Sequence, residues 1–463
     1  MPKLPSPARL AALVHTLETG LLERSEAVRL ALLAALAGEH VLLIGPPGTA
    51  KSALARRLQH AFSGARYFER LLTRFSIPEE LFGPLSLKAL EDDRYERLVE
   101  GYLPTAGIAF LDEVFKANSA ILNALLTLLN EREFDNGRER LRTPLVCVVG
   151  ATNEVPADES LQAFYDRFLL RVPVVPVSDA GFAQLLALGG AAELQPAAPI
   201  TEAERGALRQ ARRSVRLGDE VVAALAEARA LVRELRIEVS DRRWRQIVGL
   251  LETAAASSGR SEVALLDLWL LPWCLAEQPA QIGPLSSWAH DTLLGAQALD
   301  APWLTRGVEA FEQQFGLEVR AQQEEGDAGK LALARSIAGP GDGTGITRMV
   351  AARLEERLRR RYSPLHVQAR VAQVAELRER ASRHLAPLQA RAESMQRGLE
   401  QQVWMPPALA ARIGSAHAAT LQTLAALVAR IDAVQAGFAA LPIDAALDSA
   451  APIALRWDEA AAA

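Results

Sequence analysis

The chain has 463 residues, of which 50% are hydrophobic, and a formal net charge of -5 at pH 7. That length suits two or three domains with real cores, and the acidic balance argues against a dedicated nucleic-acid-binding protein, which usually has a basic face. Since no apolar run is long enough to cross a bilayer and no signal peptide is visible, we expect a cytoplasmic protein that binds no nucleic acid and meets a membrane only through a partner.

A strand, a loop and a helix between residues 41 and 62 form the first strong pattern. Four apolar residues, Val41 to Ile44, are typical of a buried strand, and the segment after Ser52 has helix-forming character. The residues between them match a phosphate-binding loop: Gly45, Pro46, Pro47, Gly48, Thr49, Ala50, Lys51 and Ser52. Backbone N–H groups and the helix N-terminus surround a β-phosphate in such a loop. Lys51 can then reach the β- and γ-phosphates, and Ser52 can ligate Mg²⁺.

One position in the loop departs from the usual pattern G-x-x-x-x-G-K-S/T. Ala50 stands where the second glycine is expected. We expect a small residue to suffice there, on the interpretation that the backbone is already near helical values.

An acidic pair follows the next buried strand. Ile108 to Leu111 is apolar and is followed directly by Asp112 and Glu113. Downstream of a phosphate loop, this pair predicts that Asp112 holds the water shell of Mg²⁺ and that Glu113 orients or deprotonates the attacking water. The alternative is a strand followed by an acidic helix cap, which is common in α/β proteins.

Two further strands complete a predicted parallel sheet, because strands alternate with helices along this part of the chain. The strand at 145–149 leads to Asn153, which would face the γ-phosphate if this strand lies beside the first; otherwise Asn153 belongs to an ordinary turn. The strand at 169–175 contains Pro173, which predicts a position at the edge of the sheet.

Beyond Pro176 the pattern is helical, which predicts three domains. We place an α/β nucleotide-binding domain with N-terminal helices at 1–195, an all-α domain at 196–278 and a helical C-terminal domain at 279–463. In the last domain, 323–347 is rich in glycine, glutamine and charge and predicts a flexible loop. Heptad-like spacing predicts an antiparallel helical hairpin at 365–441, either an arm for a partner or part of a closed bundle.

An arginine stands in the first turn of one predicted helix. Arg242 follows the capping Ser240, where its charge opposes the helix dipole. This position indicates that Arg242 has a ligand, although a solvated arginine would also be tolerated there.

Taken in order, the motifs GPPGTAKS, IAFLDE, GATN and YDRF, followed by SDRRW, resemble the MoxR branch of the AAA+ ATPases over roughly residues 8–275. Within that branch the chain is similar to the regulatory ATPase variant A (RavA) subgroup. The resemblance implies a P-loop AAA+ parallel-sheet domain, an all-α lid and a C-terminal helical domain. Members of the subgroup usually carry a small extra domain in the C-terminal helices, and no β-rich segment here matches it.

The resemblance also implies roles for five residues around bound ATP and Mg²⁺. Lys51 and Ser52 correspond to Walker A, Asp112 and Glu113 to Walker B, and Asn153 to sensor 1.

Three arginines take their implied roles from the same resemblance. Arg167 corresponds to the arginine finger, which reaches the ATP of the neighbouring subunit, and Arg242 to sensor 2, with Arg243 as the competing choice. Family members form hexameric rings and work with a partner that carries a von Willebrand factor A domain.

These features favour an ATPase that remodels or assembles client proteins, in the manner of a chaperone, as an oligomeric, hexameric ring. On this interpretation Lys51 and Arg242 act within one subunit, and Arg167 acts from its neighbour. The alternatives are a small-molecule kinase, a nucleic-acid-acting AAA+ motor and a nucleotide-gated scaffold with little turnover.

Overall fold

The computed structural model describes residues 4–188, 198–294, 301–337, 361–447 and 451–455. By contacts these residues form two compact units. The first comprises residues 1–294 and 397–413, and the second comprises 295–396 and 414–463. The predicted boundary at 279 therefore differs from the observed division, because the helix at 282–294 and the short segment at 397–413 pack with the first unit.

A five-stranded parallel sheet is the centre of the first unit within the described part of the chain. Its strands, named in chain order, are β1 (His40–Ile44), β2 (Tyr67–Leu71), β3 (Ile108–Asp112), β6 (Cys147–Thr152) and β7 (Phe168–Pro173). Their order across the sheet is β2-β3-β6-β1-β7. β7 lies at an edge, which confirms the prediction from Pro173.

The three inner strands are almost continuous runs of apolar residues, and nearly all of their side chains are buried. Such runs are typical of parallel strands covered by helices on both faces. The helices of this part of the chain are α1 (Pro7–Glu18), α2 (Ser25–Ala37), α3 (Lys51–Gln59), α4 (Pro78–Phe82), α5 (Leu87–Glu91), α6 (Ser119–Glu131), α7 (Gln162–Tyr165) and α8 (Asp179–Ala187). Of these, α2 and α3 contact strands of the sheet directly. A small antiparallel hairpin of β4 (Glu133–Asn136) and β5 (Glu139–Arg142) follows α6.

A mainly helical lid completes the first unit. Its helices are α9 (Glu202–Arg212), α10 (Asp219–Glu234), α11 (Asp241–Ser257), α12 (Leu271–Leu275) and α13 (Ile282–Leu294). Two short strands, β8 (Arg216–Leu217) and β9 (Glu262–Val263), pair in parallel between them. Ser240 caps α11 as predicted, since its hydroxyl accepts a hydrogen bond from the N–H of Arg243 at 3.2 Å.

The second unit is built on three long helices in the residues that the structure describes. They are α14 (Pro302–Ile337), α15 (Pro364–Glu400) and α16 (Pro407–Ala439). Helices α15 and α16 form the predicted antiparallel hairpin, since the N–H of Tyr362 bonds to the carbonyl of Pro442 and Arg378 pairs with Asp432. Apolar residues of all three helices share one core.

The predicted flexible loop at 323–347 is wrong for its first part. Helix α14 continues to Ile337, because good helix formers outnumber the glycines Gly326 and Gly329 and make up for the roughly 1 kcal/mol that each costs. Residues 338–347 of that prediction lie outside the described residues.

Residues 397–413, which comprise the end of α15, the connection 401–406 and the start of α16, belong to the first unit. Trp404 is 1% exposed and its indole N–H donates to Ser257 Oγ at 2.8 Å. Arg29 of α2 donates to the carbonyl of Val403 at 2.6 Å. In the part of the chain that is described, no helix is both long and apolar enough to cross a membrane.

Candidate active site

The phosphate loop lies at the carboxyl end of β1 and depends on two close backbone approaches. A Cβ on Gly45 would lie 2.1 Å from the carbonyl oxygen of Val174, so only glycine fits there. Gly48 has a φ of +80° in the left-handed region that glycine favours.

Ala50 also has left-handed backbone angles, with φ 67° and ψ 22°. The interpretation that this position is near right-handed helical values is therefore wrong. An alanine there carries a strain of about 1 kcal/mol, which the fold tolerates because the methyl group is small.

Lys51 is buried, with 7% of its surface exposed. Its Nζ donates to the carbonyl oxygens of Gly45 and Pro46, within the curve of the loop. Burial lowers the pKa of Lys51, while the nearby charges of Asp112 and Glu113 oppose that shift. The ammonium group is thus held between the loop and the acidic pair.

The loop fits a phosphate chain because the first turn of α3 is left uncapped. Ala50, the residue before α3, has no side-chain oxygen, and no side chain caps the helix. The first N–H groups of a helix have no partner inside the helix, and here they point toward the loop as donors for an anion. The Ser52 hydroxyl and the Asp112 carboxylate are oxygen donors of the kind that Mg²⁺ prefers.

The acidic pair and Asn153 meet at the same edge of the sheet. Because β6 lies between β3 and β1, the ends of all three strands are adjacent. The Nδ2 of Asn153 donates to Glu113 Oε1 at 2.6 Å, and Lys116 Nζ lies 3.3 Å from the same oxygen. Asp112 Oδ1 accepts the N–H of Glu113 at 3.0 Å. The structure therefore brings together the five residues predicted around the phosphates.

Arg24 is a residue of this site that the sequence did not indicate. It is 5% exposed, and its Nε donates to the carbonyl of Thr49 at 3.1 Å while Nη2 donates to that of Val175 at 2.6 Å. This guanidinium ties the phosphate loop to the segment after β7. No motif or spacing reveals it, because its partners lie 25 and 151 residues away.

Arg167 lies at the opposite edge of the sheet. It directly precedes Phe168, which pairs with His40 at the amino end of β1. Its Nε is buried and has no hydrogen-bond partner in the described part of the structure. Burial, and then the charge of Arg242, lowers the pKa of Arg167. The two arginines are therefore close neighbours.

Arg242 is exposed, and its Nη2 donates to Asn130 Oδ1 at 3.0 Å. Leu129 directly precedes Asn130, and its carbonyl oxygen lies 3.3 Å from Nε2 of His40, at the amino end of β1. Arg242 thus belongs to the amino edge as well. Since β1 has five residues and rises about 3.3 Å for each, roughly 16 Å of strand separates this edge from the phosphate loop. The structure does not bring Arg242 to Lys51 of the same chain.

Arg243, the competing choice for sensor 2, is 1% exposed and saturated with structural contacts. Its guanidinium donates to the carbonyls of Cys274 at 2.6 Å and Leu169 at 2.8 Å and pairs with the Asp166 carboxylate at 3.1 Å. It therefore joins the lid to the start of β7. All three of its guanidinium nitrogens already donate to protein oxygens, so it is not placed to bind a nucleotide.

We expect Arg243→Ala to lower the free energy of unfolding by about 3–5 kcal/mol, because it leaves buried carbonyls without their donor and removes one of the two arginines paired with the partly buried Asp166 carboxylate. Arg242→Ala removes the same charge one residue earlier from an exposed position and should change stability by no more than about 0.5–1 kcal/mol. Urea unfolding followed by circular dichroism compares the two variants. Equal stability of both would contradict the structural role of Arg243.

Two family models match the chain in succession. Residues 8–212 match the MoxR domain in the MoxR-vWA-beta-propeller ternary systems. Residues 220–288 match an AAA lid domain. The boundary between these matches falls just after α9, within the observed lid.

Three relatives are similar to parts of the chain. The chain is 41% identical over 265 residues to the uncharacterised protein MJ0079 of Methanocaldococcus jannaschii. The matched region covers 57% of this chain and 69% of that protein. It is 56% identical over 151 residues to MJ0812 of the same organism, across 32% of this chain and 40% of that protein. Protein MoxR of Paracoccus denitrificans is 31% identical over 160 residues, across 33% of this chain and 46% of MoxR.

The chain thus spans less than half the length of two of these relatives. The narrower likeness to the RavA subgroup stays a prediction. The order of motifs, the parallel sheet with its lid and the matched domains agree on the broader assignment. The chain belongs to the MoxR family of AAA+ ATPases.

Proposed function

We propose that this protein hydrolyses ATP, with Mg²⁺, at the subunit interfaces of an oligomeric, hexameric ring. One observation carries the proposal: the residues suited to bind and hydrolyse ATP lie at one edge of the sheet, and two arginines suited to the γ-phosphate lie at the opposite edge. A single subunit cannot bring both edges to one nucleotide, whereas neighbouring subunits in a ring can.

Each residue at the carboxyl edge has a separate task in this reaction. The Lys51 ammonium, held inside the loop, neutralises phosphate charge. Glu113 accepts the proton of the attacking water, and Asn153 holds the Glu113 carboxylate in position. When bound between Ser52 and Asp112, Mg²⁺ supplies positive charge to the β- and γ-phosphates.

Both amino-edge arginines are proposed to act on the neighbouring subunit's nucleotide. Their proximity supports this, since the charge of Arg242 lowers the pKa of Arg167. Two guanidiniums held close together repel each other, and a γ-phosphate from a neighbour would relieve the repulsion. This revises the expectation that Arg242 assists Lys51 within one subunit.

Exposed apolar side chains support an interface at the carboxyl edge. Leu71, the last residue of β2, is 56% exposed, and Phe75 and Ile77, which follow the strand, are 90% and 51% exposed. This loop is anchored, because Asn118 Nδ2 donates to the carbonyl of Ser76 at 2.8 Å. Contact with the amino edge of another subunit would remove these side chains from water.

We further propose that the ring remodels or assembles client proteins, in the manner of a chaperone, with a von Willebrand factor A domain partner in the cytoplasm. The support is the description of the matched MoxR domain, which belongs to ternary systems with a vWA component and a β-propeller.

The test of the proposal is the ATPase rate per subunit as a function of protein concentration, with the mass of the particle determined at each point. We expect the specific rate to rise as the larger particle forms. A constant rate from a monomer throughout would point instead to a monomeric P-loop enzyme with a small-molecule acceptor.

A further inference from the structure

A large cavity opens at the amino edge of the sheet, away from the phosphate loop. Its volume is about 940 Å³, and none of the predicted ATP-site residues lines it. The walls come from the turn before β2, the segment before β3, the end of β5 and helix α9. A cavity of this size can hold a ligand as large as a nucleotide.

Positive charge dominates the lining of this cavity. Two acidic residues, Glu100 and Glu202, face a larger set of arginines. These are Arg66, Arg132, Arg142, Arg205 and Arg209. Arg66 is paired with Glu100, which leaves Glu202 as the one other carboxylate in the lining for the remaining four arginines. The excess is local, in a chain whose overall charge is negative.

The two arginines of α9 that line the cavity both pair with the Glu202 carboxylate. Arg209 Nη2 lies 2.7 Å from Glu202 Oε1, and Arg205 pairs with the other oxygen of the same group. Burial lowers the pKa of Arg205 to about 10, and the charges of Arg209 and then Arg132 add to the shift. Two guanidiniums of α9 therefore share one carboxylate, and Arg132 lies close enough for its charge to act on Arg205.

Arg132 has donor capacity left over at this place. Its Nη2 donates to the carbonyl of Gly38 at 2.7 Å, but its Nη1 is buried without a hydrogen-bond partner in the described residues. Its position is fixed by the end of α6, where Arg132 has a left-handed φ of 58° and its N–H donates to the carbonyl of Leu128 at 3.1 Å. Buried donors without a partner are rare in folded proteins.

We infer that this cavity binds a phosphate-rich small molecule of about nucleotide size, at a second site distinct from the ATP site. Arginine forks match phosphate oxygens in pairs, and Phe62, Leu36 and Ile200 provide apolar wall for an organic body.

The spacing of the charges favours phosphate over an acidic peptide. Carboxylates on one face of an extended peptide are about 6.6 Å apart, whereas Arg205 and Arg209 already reach the two oxygens of one carboxylate. The site therefore suits negative charge that is dense rather than spread along a chain. This inference does not depend on the proposed ATPase activity.

The probe is inorganic tripolyphosphate, titrated by calorimetry into full-length protein that carries Lys51→Ala to weaken binding at the phosphate loop. We expect one site per chain. Arg205→Gln with Arg209→Gln should weaken binding at least about tenfold, since each lost bond to a charged group costs a comparable factor.

The matched control is Arg229→Gln with Arg233→Gln. These exposed residues of α10 have the same spacing of four and the same charge, and their replacement should leave the affinity unchanged. Arg205→Lys with Arg209→Lys keeps the positive charge but removes the paired donors of the guanidinium groups, so it should weaken binding partly. If the glutamine variant does not fold, the affinity of this lysine variant tests the inference in its place.

Three results would overturn the inference. They are no binding of tripolyphosphate, equal weakening in the control pair, and tighter binding of a hexaglutamate peptide than of tripolyphosphate. The last result would identify the cavity as a site for an acidic protein segment.

Discussion

Glu113→Gln is expected to lower the ATPase rate by roughly 10²–10⁴-fold, because an amide of the same shape cannot accept the proton of the attacking water. ATP binding should persist, since Lys51 and the uncapped start of α3 are unchanged. The Asn153 contact can also persist, because the Gln oxygen still accepts a hydrogen bond from Nδ2. Steady-state turnover and equilibrium binding of a fluorescent ATP analogue measure the two effects separately.

Glu154→Gln is the matched control for this variant. It removes one carboxylate at the same edge of the sheet, where Glu154 is exposed and only its backbone contacts Thr152. We expect near-normal turnover from it. If Glu113→Gln hydrolysed ATP as fast as this control, Glu113 would not be the base.

Arg167→Ala should lower the rate by about 10³–10⁵-fold, the range typical of an arginine supplied by a neighbouring subunit. The residue stands at the amino edge, far from its own phosphate loop. An equal mixture of Arg167→Ala and Lys51→Ala subunits should therefore regain activity. In such a ring an intact loop on one subunit meets an intact arginine on the next.

A second mixture decides where Arg242 acts. If Arg167 and Arg242 both serve the neighbour, each variant has a damaged amino edge, and mixing Arg167→Ala with Arg242→Ala subunits restores nothing. If Arg242 serves its own loop, some interfaces of that mixture are complete and activity returns. Arg229→Ala, an exposed arginine of α10, controls for the loss of charge alone.

The chemistry of the phosphate site could be predicted from local sequence because it depends on short segments. Strand β1, its loop and α3 are contiguous, and each acidic or amide residue directly follows a buried strand. Parallel strands place their carboxyl ends at one edge, so a prediction of the strands implies the meeting of Asp112, Glu113 and Asn153.

Long-range contacts could not be predicted in the same way. Arg24 and Thr49 meet through the packing of α2 against the loop, and neither position has a distinctive pattern. The left-handed backbone of Ala50 could not be predicted either, because the small size of a residue does not reveal the sign of its φ.

The sequence by itself determined the family, the strand-loop-helix unit and the residues around the phosphates, because these follow from residue type and periodicity over a few positions. Only the tertiary structure decided which of Arg242 and Arg243 is exposed to solvent. Arg242 and Arg243 are adjacent on one helix, yet successive helical residues point about 100° apart. One guanidinium is therefore buried against β7 while the other reaches solvent beside Asn130. The same packing gathers the arginines of α9 and Arg132 around one cavity, from positions that are far apart in the chain.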